Sequence, residues 1–225
     1  MNEFLWVEKY RPKNIEHCIL PKELKDTFKS FVDKGEVPNL LLCGTAGIGK
    51  TTVAKALCHE LKVDSIVING SDEGRFLDTV RNTAKQFAST VSLTSAAKHK
   101  VIIIDEADNT THDVQLLLRA SIEEFQNNCR FIFTCNFKNK IIQPLHSRTT
   151  VIDCNTRGKQ KQEIATQFFE RCRGILTAEN IQFTDAVVAE VVQKFFPDFR
   201  RTLNELQRYA ASGVIDTGIL AQISQ

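Results

Sequence analysis

Runs of apolar residues, each about as long as a buried strand, punctuate the first two thirds of the chain. They lie at residues 39–43, 65–69, 101–104, 131–135 and 150–154. The runs are nearly continuous and do not alternate with polar positions, which is typical of strands that are covered on both faces. The pattern therefore predicts the strands of a buried sheet.

The segments between these runs have apolar residues at helical spacing. One such face consists of Val53, Ala54, Ala56, Leu57 and Leu61, and another of Val114, Leu117, Leu118, Ile122 and Phe125. Strands that alternate with helices predict a parallel sheet with helical crossover connections. We therefore predict an α/β domain over residues 1–153.

The pattern changes after Asp153, where three helical segments follow one another at residues 158–173, 184–195 and 199–211. Thr184 and Asp185 suit the start of a helix, and Pro197 suits a break between two helices. We therefore predict a small three-helix second domain over residues 154–225.

Composition excludes several classes of protein. The chain has 25% charged and 42% hydrophobic residues, an ordinary globular balance. The longest stretch without a charged side chain is residues 37–49, too short to cross a bilayer.

The seven cysteines form no C-x-x-C pair, which disfavours a zinc site and indicates reduced thiols in a cytoplasm. With a net charge of +2, any nucleic-acid contact would need a local basic surface.

The strongest chemical signal is a glycine-rich loop between a strand and a helix. Residues 44–51 spell Gly-Thr-Ala-Gly-Ile-Gly-Lys-Thr, a complete G-x-x-x-x-G-K-[ST] motif directly after the apolar run that ends at Cys43. In this context the backbone amides wrap phosphates, Lys50 reaches the β and γ oxygens, and the Thr51 hydroxyl ligates Mg²⁺. The motif predicts a nucleoside triphosphate site.

Two carboxylates follow the apolar strand at residues 101–104. Asp105 would hold Mg²⁺ and Glu106 would polarise the attacking water, because the end of this strand lies at the same sheet edge as the loop. Residues 105–108 also spell Asp-Glu-Ala-Asp. Helicases with that motif need two tandem motor domains, whereas a helical segment follows here.

Three further polar residues lie near the ends of predicted elements: Asn136 follows a strand, Arg148 precedes one, and Arg200 lies near the start of a helix. Asn136 could orient the water or touch the γ-phosphate, although strand ends also favour a turn-forming Asn. Arg148 and Arg200 offer guanidinium groups, although a solvated or salt-bridged Arg is the alternative for either one.

Several motifs occur together in one order, and together they resemble AAA+ clamp-loader ATPases of the replication factor C type. The motifs are Trp-Val-Glu-Lys-Tyr-Arg-Pro (6–12), the glycine-rich loop, Asn-Gly-Ser-Asp-Glu (69–73), Asp-Glu-Ala-Asp (105–108), Gln115, Thr-Cys-Asn (134–136), Pro-Leu-His-Ser-Arg (144–148) and Phe-Pro-Asp-Phe-Arg-Arg (196–201). The resemblance covers essentially the whole chain. The runs at 56–59, 69–72, 196–200 and 218–220 are similar to the large subunits of T-even-like bacteriophages.

The resemblance implies a nucleotide site for ATP and Mg²⁺. The implied nucleotide-binding residues are Lys9, Tyr10 and Arg11 along the adenine, Ile19 as an apolar wall, Gly44, Thr45, Ala46, Gly47, Ile48, Gly49, Lys50, Thr51 and Thr52 around the phosphates, and Arg200 as the sensor-2 arginine of a helical lid. Thr51 and Asp105 are the implied metal ligands. Glu106, Lys50 and the sensor-1 residue Asn136 are implied to be catalytic, together with Arg148 as an arginine finger that acts in trans.

Further residues are implied to couple the ATP site to DNA and to neighbouring subunits. Gln115 resembles a hub between adjacent sites, Arg75 a basic residue that senses DNA, and Arg81 a phosphate contact. Arg81 shares a helix face with Lys85, so a solvated charged face is the alternative. The implied partners are a sliding clamp, primer–template DNA and other loader subunits, with no membrane, in a cytoplasm that is the host cell's if the gene is viral.

The chain also departs from the family pattern. Thr149 replaces the usual Cys of Ser-Arg-Cys, which we expect to be neutral for packing. Residues 72–75 spell Asp-Glu-Gly-Arg where the family has Asp-Glu-Arg-Gly, so the assignment of Arg75 depends on the register. The sequence ends at Gln225, soon after the lid, so we expect no C-terminal helical collar.

The predicted function is ATP hydrolysis that opens a DNA sliding clamp and loads it at primer–template junctions. One alternative is another AAA+ motor on DNA, such as a helicase loader or a branch-migration ATPase. A second alternative is an adaptor that binds ATP without hydrolysing it.

Overall fold

A computed structural model describes residues 4–71, 79–90 and 99–219 of the chain. Within these residues, five strands form a parallel sheet in the order β2-β3-β4-β1-β5. The strands are β1 (Leu40–Cys43), β2 (Ser65–Asn69), β3 (Lys100–Asp105), β4 (Cys129–Cys135) and β5 (Thr150–Asp153). The predicted strands and their parallel arrangement are confirmed.

Helices connect the strands and cover the sheet. They are α1 (Trp6–Lys9), α2 (Lys22–Lys34), α3 (Lys50–Leu61), a π-helical turn (Thr79–Ala84) that continues into α4 (Lys85–Ser89), α5 (His112–Glu124) and α6 (Gln143–His146). The two helical faces predicted from the sequence lie in α3 and α5, except that Phe125 is the residue that caps the end of α5.

Successive residues of β1 enter two different cores, one on each face of the sheet. Leu40 and Leu42 pack with Phe28 of α2 and Val53 of α3, whereas Leu41 packs on the opposite face with residues of α5. Side chains along a strand alternate between faces, so a continuous apolar run is what a sheet with two covered faces requires. Burial of a large apolar side chain such as Phe28 stabilises the fold by about 1.5–3 kcal/mol.

Beyond β5 lies a helical lid with a core of its own. Its helices are α7 (Lys159–Ala178), α8 (Asp185–Phe195) and α9 (Phe199–Tyr209), and a parallel pair of two-residue strands, β6 (Gln182–Phe183) and β7 (Val214–Ile215), lies beside them. The predicted helical lid is confirmed, although its first helix runs five residues beyond position 173. The division into domains at residues 153 and 154 stays a proposal.

The N-terminal helix α1 packs against the lid. Trp6 is only 6% exposed and belongs to the same apolar cluster as Phe168 and Leu206. The next segment contacts the sheet domain instead, because Ile15 and Cys18 pack in the core beneath β1.

All seven cysteines are buried and free, as the apolar surroundings of several of them predicted. Across the described ranges, every helix is too short or too polar to span a bilayer.

Candidate functional site

A cavity of about 240 Å³ opens at the carboxyl edge of the sheet, where the sheet domain meets the lid. Four parts of the chain line it: the N-terminal segment, the glycine-rich loop with the start of α3, the ends of β3 and β4, and the lid helices α7 and α9. Ligands of parallel α/β sheets bind at this edge, because the loops that follow the strands meet there. The cavity is therefore the candidate active site.

The glycine-rich loop begins right after β1 and ends where α3 begins. Gly49 precedes the helix with φ +93°, a left-handed conformation that favours glycine. Residues 46–52 line the cavity. The carbonyl oxygens of Gly44 and Thr45 accept hydrogen bonds from Lys50 Nζ, both at 2.8 Å. The loop therefore surrounds its own lysine and presents the first turn of α3 to the cavity.

Lys50 is a buried cation with three hydrogen-bond acceptors. Besides the two carbonyls, its Nζ donates to Asn136 Oδ1 at 2.9 Å. Burial lowers the pKa of Lys50, because removal from water disfavours the charged ammonium. The side-chain amide of Asn136 therefore contacts the ammonium of Lys50, the group that would bind the triphosphate.

Asp105 joins the ends of three elements. Its Oδ1 accepts hydrogen bonds from Thr51 Oγ1 of α3 and from Thr134 Oγ1 of β4, each at 2.6 Å. The carboxylate and the Thr51 hydroxyl are hard oxygen ligands, the type that Mg²⁺ prefers. Within the described ranges, no cluster of three or more His, Cys, Asp or Glu side chains could hold a metal ion. This donor set fits Mg²⁺, which usually combines one or two carboxylates with substrate phosphates and waters.

Glu106 adopts an uncommon backbone conformation at the edge of the cavity. Its φ is +54°, in the left-handed region where residues other than glycine are strained. Its amide donates to Thr134 Oγ1 at 3.0 Å, and its Oε2 accepts from Asn109 Nδ2 at 3.2 Å. Asn109, which was not predicted as a site residue, orients the Glu106 carboxylate through this hydrogen bond.

Asp108 holds the backbone around Asn136 in place. Its Oδ2 accepts hydrogen bonds from the amides of Asn136 and Phe137, at 3.1 Å and 3.0 Å, and its side chain is buried. This role of Asp108 was not predicted from the sequence. The available signal was the last residue of Asp-Glu-Ala-Asp, a third carboxylate in the short helical turn Ala107–Asn109 after β3.

The N-terminal segment forms one wall of the cavity. Tyr10, Arg11 and Ile19 line it, as the resemblance implied. Lys9 does not belong to the described wall, since its Nζ forms an ion pair with Glu179 Oε1 of the lid at 2.6 Å. The same carboxylate oxygen accepts a hydrogen bond from Tyr10 Oη at 2.6 Å. The bond from Lys9 lowers the pKa of Glu179, which keeps the carboxylate charged.

The lid forms the opposite wall with two arginines. Arg200 of α9 lines the cavity and is exposed to solvent. Arg171 of α7 lines it as well and donates from Nη2 to the carbonyl oxygen of Tyr10 at 2.8 Å. Arg200 could be predicted from its sequence motif. Arg171 could not, because it belongs to no motif and lies in an ordinary helical segment.

The lid also contacts the glycine-rich loop directly. The amide of Phe199, the first residue of α9, donates to the carbonyl oxygen of Gly47 at 3.1 Å. A Cβ at Gly47 would lie 1.9 Å from Oδ1 of Asp198, the residue that caps α9. Only glycine therefore permits this close approach of the lid.

Arg148 lies after α6 and is absent from the described wall of the cavity in its own chain. Its Nε and Nη2 donate to Glu123 Oε1 of α5, at 2.9 Å and 2.5 Å, and its Nη1 donates to the carbonyl oxygen of Pro144 at 3.0 Å.

Gln115 is a buried amide that connects α5 to the segment before α6. Its Oε1 accepts from the amide of Ile142 at 2.9 Å, and its Nε2 donates to the carbonyl oxygen of Lys140 at 3.1 Å. A longer contact of 3.4 Å reaches the carbonyl oxygen of Thr110, in the loop that follows Glu106. Gln115 therefore lies between the acidic loop and the segment that leads to Arg148.

The two residues implied to contact DNA are only partly covered by the described structure. Arg75 lies outside the described residues. The backbone of Arg81 lies in the π-helical turn before α4, and its side chain is likewise outside the described part.

Comparisons with known proteins agree with this arrangement. Residues 40–155 match the ATPase family associated with various cellular activities (AAA), and residues 160–221 match the AAA+ ATPase lid domain of the sliding-clamp-loader large subunit. The chain is 42% identical to the sliding-clamp-loader large subunit of Escherichia phage RB69, over 99% of this chain and 69% of that protein. It is 37% identical to the replication factor C small subunit of Methanoculleus marisnigri, over 92% of this chain and 63% of that protein.

Among solved structures, the chain is similar to the Holliday junction branch migration motor RuvB of Thermotoga maritima. The TM-score is 0.73 with 20% identity, over 95% of this chain and 71% of that one. Identity this low shows a shared fold and no more.

Proposed function

This chain belongs to the sliding-clamp-loader family of AAA+ ATPases, and on that premise we propose that it hydrolyses ATP to open a sliding clamp and load it at primer–template junctions. The observation that carries the proposal is the convergence of Lys50, Asp105, Glu106, Asn136 and Arg200 at one edge of the sheet. A non-hydrolysing adaptor would not need a carboxylate oriented like that of Glu106. The likeness to a branch-migration motor extends to the fold alone.

The nucleotide would lie between the N-terminal segment and the glycine-rich loop. Tyr10, Arg11 and Ile19 would enclose the adenine in a largely apolar pocket, as is usual for sites that bury a ring. The backbone amides of the loop and of the first turn of α3 would bind the phosphates, aided by the positive end of the helix dipole. Arg200 would reach the phosphates from the lid.

The Thr51 hydroxyl and the Asp105 carboxylate would hold Mg²⁺ beside the phosphates. When bound, this ion supplies charge neutralisation at the phosphate oxygens. Thr134 supports the site, because its hydroxyl donates to the same Asp105 oxygen and restricts the rotation of the carboxylate.

The chain's own residues would activate the attacking water. The Glu106 carboxylate would accept a proton from that water, and the Asn136 amide would orient it. Lys50 would stabilise negative charge on the β and γ oxygens. Arg148 would complete the site of an adjacent subunit, because an arginine finger stabilises charge in the transition state.

The remaining partners follow from the family. We propose that Arg75 and Arg81 contact the DNA backbone and that Gln115 transmits the occupancy of one ATP site to the next. The protein would act in a cytoplasm, which is that of the host cell if the gene is viral.

The substitution Glu106→Gln tests the role of the carboxylate. We expect ATP affinity to remain nearly unchanged, because Lys50, Thr51 and Asp105 keep their contacts. The rate of phosphate release should fall by at least ~10²-fold, the scale of a positioned general base. Glu190→Gln, at an exposed position of α8, is the matched control. An equal loss of binding and turnover would contradict the role assigned to Glu106.

A further inference from the structure

The guanidinium of Arg148 is oriented by contacts along two of its edges. Glu123 Oε1 accepts from Nε and Nη2 on one edge, while Nη1 donates to the carbonyl oxygen of Pro144 and, at 3.3 Å, to Ser147 Oγ. A planar guanidinium that is bound along one edge loses its freedom to rotate. Its position is therefore set before any neighbouring subunit arrives.

Glu123 lies at the end of the helix that also contains Gln115. Gln115 fixes the backbone at Lys140 and Ile142, and Glu123 fixes the side chain of Arg148, so α5 contacts both ends of the segment 140–148. The two residues are eight positions apart, which is about 12 Å along a helix. The helix therefore sets both the path of this segment and the direction of the arginine.

The ion pair orients Arg148 without trapping it. The side chains of Arg148 and Glu123 are 28% and 51% exposed. Pairs exposed to this degree stabilise a fold by only about 0–1 kcal/mol. A triphosphate bears more negative charge than one carboxylate, so it can attract the same guanidinium. Arg119 Nη2 lies 3.6 Å from the same Glu123 oxygen, so the carboxylate retains a cationic partner when Arg148 turns toward a phosphate.

We infer that Glu123 is a positioning residue for hydrolysis in the neighbouring subunit, where it aims the guanidinium of Arg148 at the bound ATP. This inference rests on the proposed role of Arg148 as an arginine finger. In the structure the Glu123 carboxylate is paired with Arg148 and Arg119, so its effect on hydrolysis would pass through Arg148.

The first test is steady-state phosphate release at a protein concentration where specific activity no longer rises. Glu123→Gln should lower kcat about tenfold, below the ~10²-fold that a misplaced catalytic group can cost. The KM for ATP should stay the same. Glu123→Asp, which retains the charge, should recover part of the loss. Glu124→Gln is the control, because Glu124 lies next in the same helix and is paired with Lys85.

Mixing two inactive variants assigns the defect to the donor of the arginine. Arg148→Ala subunits have an intact ATP site but no finger, and Lys50→Ala subunits supply a finger without a working site. We expect Lys50→Ala subunits to restore turnover in the mixture, and Lys50→Ala/Glu123→Gln subunits to restore about a tenth as much. In addition, Glu123→Gln should not slow Arg148→Ala further, since the two residues act as a unit.

Two failures are distinguishable. If Arg148→Ala keeps full turnover, Arg148 is not a finger, and the proposed function of that residue is wrong together with the inference. If Arg148→Ala loses turnover while the Glu123→Gln donor is as effective as its parent, the inference alone is overturned. Equal melting temperatures of Glu123→Gln and Glu124→Gln would exclude a general loss of folding.

Discussion

At the scale of single residues, the site depends on contacts that orient the reactive groups. Asp108 is 5% exposed and binds two consecutive backbone amides, those of Asn136 and Phe137. Asn136 in turn accepts from Lys50. The Asp108 carboxylate therefore influences Lys50 through Asn136, which lies between them.

Asp108→Asn should slow hydrolysis with little effect on ATP affinity. Hydrogen bonds to a charged acceptor are worth about 1 kcal/mol more than neutral ones, so the loss corresponds to a kcat about fivefold lower. Phosphate release measured with Asp113→Asn as the control checks this expectation, because the Asp113 side chain is 91% exposed. An unchanged kcat would contradict this expectation and show that Asp108 has only a structural role.

The motif residues could be predicted from the sequence, whereas the residues that orient them could not. Lys50, Thr51 and Asp105 lie in short sequence motifs, and the chemistry of these motifs can be inferred without knowledge of the fold. Asn109 and Glu123 are ordinary polar residues in the sequence, and their roles exist only because folding brings other segments against them.

At the scale of elements, the N-terminal helix α1 is attached to the lid. The Trp6 amide donates to Gln207 Oε1 at 3.0 Å, and Glu179 binds both Lys9 and Tyr10. The following segment is bound to the sheet domain, where the Ile15 amide donates to Glu60 Oε2 at 2.8 Å. A rotation of the lid would therefore move the part of the cavity wall that Tyr10 contributes.

Glu179→Gln should loosen this wall and raise the KM for ATP by up to about fivefold, since exposed ion pairs contribute at most about 1 kcal/mol. The kcat should stay the same, because the phosphate-binding residues are untouched. Steady-state kinetics of Glu179→Gln and of Glu170→Gln, which removes a surface pair with Arg173 on the same helix, provide the comparison. A fall in kcat at constant KM would show that α1 does not set nucleotide affinity.

The strands and long helices could be predicted because their periodicity is local. The attachment of α1 could not, since Lys9 and Glu179 are 170 positions apart and nothing in the pattern near either residue specifies the other. The extension of α7 to Ala178 was missed for a related reason: its last turn is stabilised by packing in the lid core, where Ile175 and Leu176 are buried.

At the scale of the whole molecule, stability rests on two cores across the sheet and a third in the lid. At the amino end of β3, the buried His99 accepts a hydrogen bond from the Val37 amide at Nε2, over 3.4 Å. Burial, with help from the nearby Arg130, lowers the pKa of His99 below its usual 6.5. The folded protein therefore holds this histidine neutral.

Stability should consequently decline in mild acid. Below about pH 6.5 the unfolded chain binds a proton at His99 that the folded chain resists, so the free energy of unfolding falls as the pH is lowered toward the folded-state pKa. Melting temperatures between pH 7 and pH 5 should fall less steeply for His99→Gln than for the parent protein. His17→Gln, at an exposed position, should keep the parental slope. Parallel slopes for all three proteins would contradict the assignment.

The most direct test of the central claim is steady-state phosphate release by this chain under four conditions: alone, with a sliding clamp, with primed DNA, and with both. A clamp loader that couples hydrolysis to loading should respond to its two partners together. We expect the rate with clamp and primed DNA to exceed the sum of the two separate increments, and Arg148→Ala to abolish the increase. An identical rate under all four conditions would contradict the proposal that this site works on clamps and DNA.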